Sequence, residues 1–421
     1  MSEIILSINA GSSSLKVSVY KSTSPNPIQL AEAQIDGLTA PPAKLKYNRG
    51  DVRIKGEDVT DVHDQGSAFK DLLDRFLNDD GLPEVKDKES IKFASHRVVH
   101  GGDFSEAQII NKDTYGKLEE LSDLAPLHNA AALSLVRAIH DHLPHATNIA
   151  FFDSAFHATI PKQITAQAID PKIANRNKLR KYGFHGLSYG FIVSAISEYL
   201  DKPLSSLNII ALHLGSGASV CAVKNGLSYD TSMGLTPLAG LPGATRSGSV
   251  DPSLIFHYTH HAGRLSHNAA KGMRLTEAEE ILNKESGWKA LTGTTDFGQI
   301  STKAAQGDEM CKLAFDIFVD RILNFVAGYY VKLGGKVDAM VFAGGIGEKG
   351  AELRDAVIAH FECLGFGLDG EKNVHAAEKE DVVVDISDKE ARHKVLVCRT
   401  DEQLQMARGV VRDGPRFGKQ Q

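Results

Sequence analysis

The chain has 421 residues, 42% hydrophobic and 24% charged, which is the composition of a globular protein rather than of a disordered or fibrous one. Its 47 basic and 53 acidic residues leave a net charge of −6, which offers no electrostatic footprint for nucleic acid or an anionic membrane. The four cysteines, Cys221, Cys311, Cys363 and Cys398, lack the paired spacing of a zinc site, and no apolar run reaches the roughly 18 residues a membrane helix needs.

The expectation is a cytoplasmic protein without a secretory signal, long enough for two or three domains.

In chain order, "INAGSSSLKVSVY" follows an apolar run with Asn9, Gly11, three serines and Lys16, then returns to alternation. One reading is a β-hairpin with a polar tip. The other is a phosphate cradle, in which backbone N–H groups, the hydroxyls of Ser12 and Ser14 and the Lys16 ammonium converge on an anion. Residues 39–66, rich in charge and holding Pro41 and Pro42, read as irregular surface or edge strands. Helical periodicity follows over 64–77, 128–143, 186–200 and 307–333, with Leu313, Ile317, Ile322, Phe325, Val326, Tyr329 and Leu333 as the apolar stripe of the last. Strand-like runs at 91–94, 148–152, 337–342 and 395–398 alternate with these helices, which predicts α/β layers.

A second hairpin answers the first. "IILSINAGSSSLKVSV" from Ile4 is similar to "NIIALHLGSGASVCAV" from Asn208, with Gly11 over Gly215, Ser12 over Ser216 and Val19 over Val223. Two such hairpins, each opening about half of the chain, predict a duplicated α/β fold whose halves grip one polyphosphate.

Chemistry-bearing residues gather in the motifs between these elements. "SHRVVHGG" sets Arg97 between a strand and two glycines, and "LAPLHNAAAL" sets His128 at a helix start. "IAFFDSAFH" ends a strand at Asp153, where a carboxylate commonly faces a ligand crevice. "KYGFHGLSYG" presents Phe184 and His185, and "LPGATRSGSVDP" holds Arg246 in a Gly-rich loop. "VFAGGIGEKG", with Gly344, Gly345, Ile346 and Gly347, is a strand, a Gly-rich turn and a helix start. "VLVCRTDEQL" brings Asp401 and Glu402 to a helix start, where both could simply cap the helix. Each residue singly has a structural reading; as a set, two arginines suit planar anions and a moving phosphoryl group. Carboxylates at Asp153 and Glu402 suit Mg²⁺.

In family order, "NAGSSSLK", "HRVVHGG", "FDSAFH", "YGFHG", "TPLAGLPGATRSGSVDP", "FAGGIGE" and "RTDE" together resemble the acetokinase family, within the acetate and sugar kinase/Hsp70/actin superfamily. The resemblance implies two duplicated actin-like (ribonuclease H-like) domains with a central active-site cleft, one of residues 1–156 plus 403–421 and one of 157–402. It implies ATP + acetate ⇌ ADP + acetyl phosphate by direct in-line transfer with Mg²⁺, or Mn²⁺ in its place, in a cytoplasmic homodimer. Asn9 and Lys16 would belong to the first phosphate loop, with Ser12 and Ser14. His213, Gly215, Ser216 and Gly217 would form the second, and 344–347 would serve the nucleotide. Arg97 and Arg246 would flank the acetate carboxylate and the phosphoryl group, His128 and His185 would stabilise the transition state, and Asn9, Asp153 and Glu402 would serve the metal. Val99, Leu127, Phe184 and Pro237 would wall the methyl group. No nucleic acid or membrane partner is implied.

The chain departs from the family pattern at Ser216 (usually Asn), Leu187 and Tyr189 (Thr and His), Ala239 (Glu), Gly243-Ala244 (Met-Gly) and Lys349 (Asn). These positions lie near the phosphoryl donor. A propionate or butyrate kinase, a pyrophosphate-dependent acetate kinase and a non-catalytic ATP-binding module are the alternatives, the last disfavoured by the second arginine.

Overall fold

In the computed structural model, which describes residues 3–11, 13–40, 42–121, 126–266 and 275–417 and the side chains of all but 126–131, the opening motif is a hairpin. Its strands are β1 (Ile4–Ala10) and β2 (Ser14–Lys21), and apolar alternation turns Leu15, Val17 and Val19 into the core. The sheet continues through β3 (Ile28–Asp36), β4 (Ala43–Arg49) and β5 (Val52–Val59), so the charged stretch expected as surface or edge strands forms the sheet's edge hairpin. On the other side of β1 lie β6 (Ile91–Val98), β8 (Thr147–Phe152) and the short β7 (Gln108–Ile109). The order is β5-β4-β3-β2-β1-β6-β8-β7, with β1, β6 and β8 parallel to one another.

A second sheet is built from β9 (Ile209–Leu214), β10 (Ala218–Lys224), β11 (Leu227–Thr231), β12 (Ala339–Ala343), β13 (Val383–Asp385) and β14 (Lys394–Cys398). Its order is β11-β10-β9-β12-β14-β13, with β9, β12 and β14 parallel. Five consecutive strands of each sheet, β3-β2-β1-β6-β8 and β11-β10-β9-β12-β14, therefore share one topology, a three-strand antiparallel meander followed by two parallel strands. This is the ribonuclease H-like arrangement, and it appears twice, as the internal similarity suggests.

The registers correct one detail of that similarity. Ala10 pairs with Leu15 across the first turn, whereas Leu214 pairs with Ala218 across the second, one residue shorter. Val19 lies opposite Leu6 and Ala222 opposite Ile210, so the structural counterpart of Val19 is Ala222 rather than Val223. An ungapped comparison misses the slip because β10 is buried on both faces and carries no alternation to set its phase.

Contacts divide the chain into two compact units, Met1–Ala155 with Asp401–Gln421, and Phe156–Thr400. In the first, the helix Gln65–Leu77 is closed by a capping box between Asp64 and Ser67 and buries Phe69, Leu72, Leu73 and Phe76. The final helix, Glu402–Phe417, lies against β1 and β6 of this same unit. In the second unit the long helix Glu309–Lys332 begins at the Asp308 cap and buries Cys311, Ala314, Phe318, Ile322, Val326 and Tyr329. The expected stripe is thus partly misplaced, since Leu313 is 45% exposed. Apolar residues surround this helix, so periodicity alone does not choose its face. Trp288, Phe297 and Phe318 choose it by packing edge-to-face, with ring centroids 5.1–5.3 Å apart.

Two buried histidines carry a pH signature. His96 bonds Asn148 through Nε2 at 2.7 Å, and His157 bonds Ser228 through Nδ1 at 2.7 Å and the Phe184 carbonyl through Nε2 at 2.9 Å. Burial pushes both down to about 4. Near pH 7 they are neutral in the folded and the unfolded chain; as pH falls from 6.5 towards 4, the unfolded chain binds protons that the folded one refuses. Each should withdraw about 2 kcal/mol of stability between pH 7 and pH 5. Urea unfolding at the two pH values measures this, and His96→Gln should reduce the pH slope of the first unit. In the second unit, Phe318→Ala should cost about 3–5 kcal/mol, against about 0.5 or less for the exposed Leu313→Ala, read from denaturation midpoints.

Candidate functional site

Three charged side chains meet at the carboxyl ends of β6 and β8 in the first sheet. Strand β6 runs past the expected residue 94 to Val98, so Arg97 sits on the strand itself, paired opposite Phe151. Asp153 follows β8 directly, and its backbone N–H continues the ladder by donating to the Val98 carbonyl at 3.1 Å. Glu402 opens the final helix. Arg97 donates to the Asp153 carboxylate from Nε at 3.2 Å and from Nη2 at 2.7 Å, and its Nη1 meets Glu402 Oε2 at 2.8 Å. Asn9, near the end of β1, completes the group: its Nδ2 donates to Glu402 Oε2 at 3.1 Å, and its Oδ1 accepts from Arg97 Nη1 at 3.5 Å. Burial opposes the arginine charge, but the two carboxylates outweigh it and raise the guanidinium pKa above its ordinary value.

The neighbouring Asp401 follows the plainer reading. Its Oδ1 accepts from Leu404 N–H at 2.8 Å and caps the helix. Lys16 lies on β2 opposite Asn9, and its ammonium pairs with Glu32 at 3.1 Å. Asn9 and Lys16 therefore occupy the strands beside the hairpin turn rather than the turn, because the ladder runs to Ala10 and restarts at Ser14. The turn closes on itself through Gly11 N–H and the Ser14 carbonyl at 2.8 Å, and Gln65 Nε2 donates to the Gly11 carbonyl at 3.1 Å. Ser12 and the side chains of Leu127 and His128 lie outside the described residues. Val99 follows β6, partly exposed.

In the second unit, the shorter hairpin turn, Gly215–Ser216–Gly217, is laced to the loop that carries Arg246. The Ser216 carbonyl accepts Ala244 N–H at 2.8 Å, and Gly243 N–H donates to the Arg246 carbonyl at 3.0 Å. A Cβ on Gly243 would sit 2.5 Å from the Ser216 oxygen, so this loop can close over the turn only with glycine there. A Cβ on Gly217 would sit 2.8 Å from Arg246 Nη1 and 3.7 Å from His185 Nε2, which brings both side chains to the same turn. His185 occupies the left-handed region at φ 61°, just before the helix Gly186–Tyr199, and its ring tilts against His213 with centroids 4.5 Å apart. Its Nδ1 bonds Ser219 Oγ at 2.8 Å, and Ser219 Oγ bonds Tyr189 Oη at 2.6 Å. Phe184 and Pro237 are buried in this unit.

Beside the turn opens a cavity of about 550 Å³, lined by Gly215, Ser216, Gly345, Ile346 and Lys349 and by 295–298, 301 and 302. The segment expected as a Gly-rich turn is instead a short helix, Gly344–Lys349, that follows β12 directly; Gly344 adopts φ 74°, and a Cβ there would lie 2.7 Å from the Leu214 carbonyl, so the start of this helix lies directly on the end of β9. Volume alone does not mark this cavity: a groove of about 530 Å³ lies over β2–β5 of the first unit. Its lining does, since two separately expected loops converge there. The segment "TTDFGQI", which supplies Thr295, Asp296, Phe297 and Gly298, has no counterpart among the sequence-based expectations. Its one sequence signal is an Asp before a helical run, and Asp296 does cap the helix Phe297–Ala305.

The described residues hold no cluster of three or more His, Cys, Asp or Glu side chains placed to bind a metal. The Asn9, Asp153 and Glu402 set nonetheless fits Mg²⁺: all three offer hard oxygen donors, and two carboxylates against one guanidinium leave a negative charge in a part-buried site.

Comparison with known proteins agrees with this geometry. The sequence model of the acetokinase family matches residues 4–408. The "Probable acetate kinase" of Emericella nidulans is 54% identical over 405 residues, covering 96% of each chain. Among solved structures, a propionate kinase from Francisella tularensis superposes with a TM-score of 0.84 at 34% identity, covering 97% of this chain and 98% of its own. Porphyromonas gingivalis acetate kinase gives 0.81 at 32% identity, covering 99% and 100%. Matched over nearly its whole length by family, relatives and fold, the chain belongs to the acetokinase family and is a kinase.

Proposed function

We propose that the protein transfers a phosphoryl group reversibly between ATP and acetate, giving ADP and acetyl phosphate, as a Mg²⁺-dependent cytoplasmic homodimer. The observation that carries this reading is the Arg97–Asp153–Glu402 group. It is a cation locked in place by two carboxylates, suited to a small carboxylate and a charged phosphoryl group and needless in a passive nucleotide-binding module. The cavity at Ser216 and Ile346 supports a nucleotide as donor, since its volume suits a nucleoside and it adjoins the Gly-rich turns. No helix of the described residues is long and apolar enough to cross a membrane.

Asn9, Asp153 and Glu402 would hold the Mg²⁺, which when bound neutralises phosphate charge. Arg97 orients the acceptor carboxylate, and Arg246 with His185 supplies hydrogen-bond donors to the oxygens of the phosphoryl group in flight. No covalent enzyme intermediate is needed, because positioning and charge stabilisation suffice for this transfer. By the family resemblance, Val99, Leu127, Phe184 and Pro237 are the candidates for the apolar wall that accepts one methyl group. Propionate is the second reading, favoured by the 34% identity to the Francisella propionate kinase. The two acids differ by one methylene, a discrimination of only about 1–3 kcal/mol.

Arg97→Ala and Arg246→Ala should each lower kcat/KM for acetyl phosphate at least about 100-fold, with little recovery in the lysine variants, which lack the planar fork. Steady-state kinetics in the ATP-forming direction measure this, and variants within a few-fold of the parent would refute the assignment. Ser216 lines the donor cavity and none of the apolar-wall residues does. Ser216→Asn, which replaces a hydroxyl with a longer amide carrying two N–H donors beside its acceptor oxygen, should therefore lower the KM for ATP and leave that for acetate unchanged. An effect confined to acetate, or turnover with pyrophosphate and none with ATP, would overturn the donor assignment.

A further inference from the structure

We propose that Tyr189 and Ser219 form a two-hydroxyl relay that fixes neutral His185 in the tautomer with its proton on Nε2, so that it meets the phosphoryl group as a hydrogen-bond donor. The proposal rests on His185 serving the transfer reaction.

Ser219, on β10, has no exposed surface, and its hydroxyl contacts two side-chain groups, Tyr189 Oη at 2.6 Å and His185 Nδ1 at 2.8 Å. Tyr189 is equally buried, and the one acceptor within reach of its hydroxyl proton among the described residues is Ser219 Oγ. The phenol keeps that proton, because burial raises its pKa well above the ordinary value. The ring is held from two sides, edge-on to His157 at 5.6 Å and stacked on Phe156 at 6.2 Å, which limits reorientation of the hydroxyl.

Three proton arrangements can be drawn along this line, and only one satisfies every donor. If His185 Nδ1 carries a proton and donates to Ser219, the serine must either turn its own proton towards Tyr189 or leave it without an acceptor. In the first case the tyrosine proton loses its only acceptor; in the second the serine proton has none. Either way a buried O–H is orphaned, which is what buried polar groups avoid. In the remaining arrangement Tyr189 donates to Ser219, Ser219 donates to His185 Nδ1, and nothing is left over. Nδ1 is then an acceptor and the ring proton resides on Nε2. Nε2 is the atom that lies with Arg246 Nη1 at Gly217. Two donors, one cationic and one neutral, thus reach the same turn, while the relay opposes protonation of Nδ1. Tyr189 and Ser219 are positioning residues that act through His185.

The test uses the full-length enzyme labelled with ¹⁵N-histidine. Long-range ¹H–¹⁵N correlation spectra report the protonation of each ring nitrogen, and loss of a signal in His185→Ala assigns it. The expected spectrum has His185 protonated at Nε2 and not at Nδ1. Tyr189→Phe should shift it to a mixture of tautomers and lower kcat about 10-fold, part of the ~10²-fold that a positioned donor supplies, with both KM values nearly unchanged. In a His185→Ala background, Tyr189→Phe should then have no further effect on kcat. Ser219→Ala should give the same tautomer shift, and decides the matter if Tyr189→Phe fails to fold. His185 protonated at Nδ1 in the parent enzyme, or a spectrum unmoved by both variants, would overturn the relay. Should the tautomer be as expected while His185→Ala retains parental kcat, the relay stands and the catalytic reading of His185 falls.

Discussion

Much of the first unit depends on the electrostatics of one arginine. Arg97, Asp153 and Glu402 can leave bulk water together because each charge is met at hydrogen-bond distance. Removing one partner would strand another in a part-buried site, so the group acts as a constraint on the chain. It fixes the ends of β6 and β8 and ties the start of the final helix to two strands that lie far earlier in the sequence. Asn9 extends the same constraint to β1. The strand ends joined this way are electrostatically unfinished, because two carboxylates exceed one guanidinium by one charge. That imbalance favours a bound cation.

The second unit uses the same topology for a different chemistry. Its corresponding hairpin turn is one residue shorter and is laced by backbone hydrogen bonds to the loop that carries Arg246. Gly217, Gly243 and Gly344 are each closed against a neighbouring backbone or side chain, which makes room beside the turn for a ligand rather than for Cβ atoms. His185 bonds the Ser219 hydroxyl through Nδ1 and takes a left-handed backbone conformation. Duplication supplied the scaffold, and the residues at the turn divided the work.

The sequence was legible where a local pattern has a single physical solution. The helix Gln65–Leu77 starts at Asp64 because a capping box and an amphipathic stripe agree there, and the hairpin of β1 and β2 follows from alternation around a Gly-Ser turn. It was misleading where several solutions are locally equivalent. The helix Glu309–Lys332 is apolar on most sides, so only packing against Trp288 and Phe297 selects its buried face. β10 is buried on both faces, so its one-residue slip left no mark.

Of the candidate site, residue types and motif order named Arg97, Asp153, Glu402, Arg246 and His185 as a set, although each of them singly has a structural reading, and their roles came only with the resemblance to the family. Fold class and family were also determined at that level. Tertiary structure decided what those residues touch. It separated Glu402, which turns to Arg97, from Asp401, which caps the helix, although the two are adjacent and chemically alike. It added the stretch from Thr295 to Gly298 to the cavity beside the Gly215–Gly217 turn, and the Ser219 and Tyr189 hydroxyls to His185. The physical reason is range: capping, alternation and turn chemistry act over a few residues, whereas burying a charge or a hydroxyl requires partners that only the folded chain brings within 3 Å.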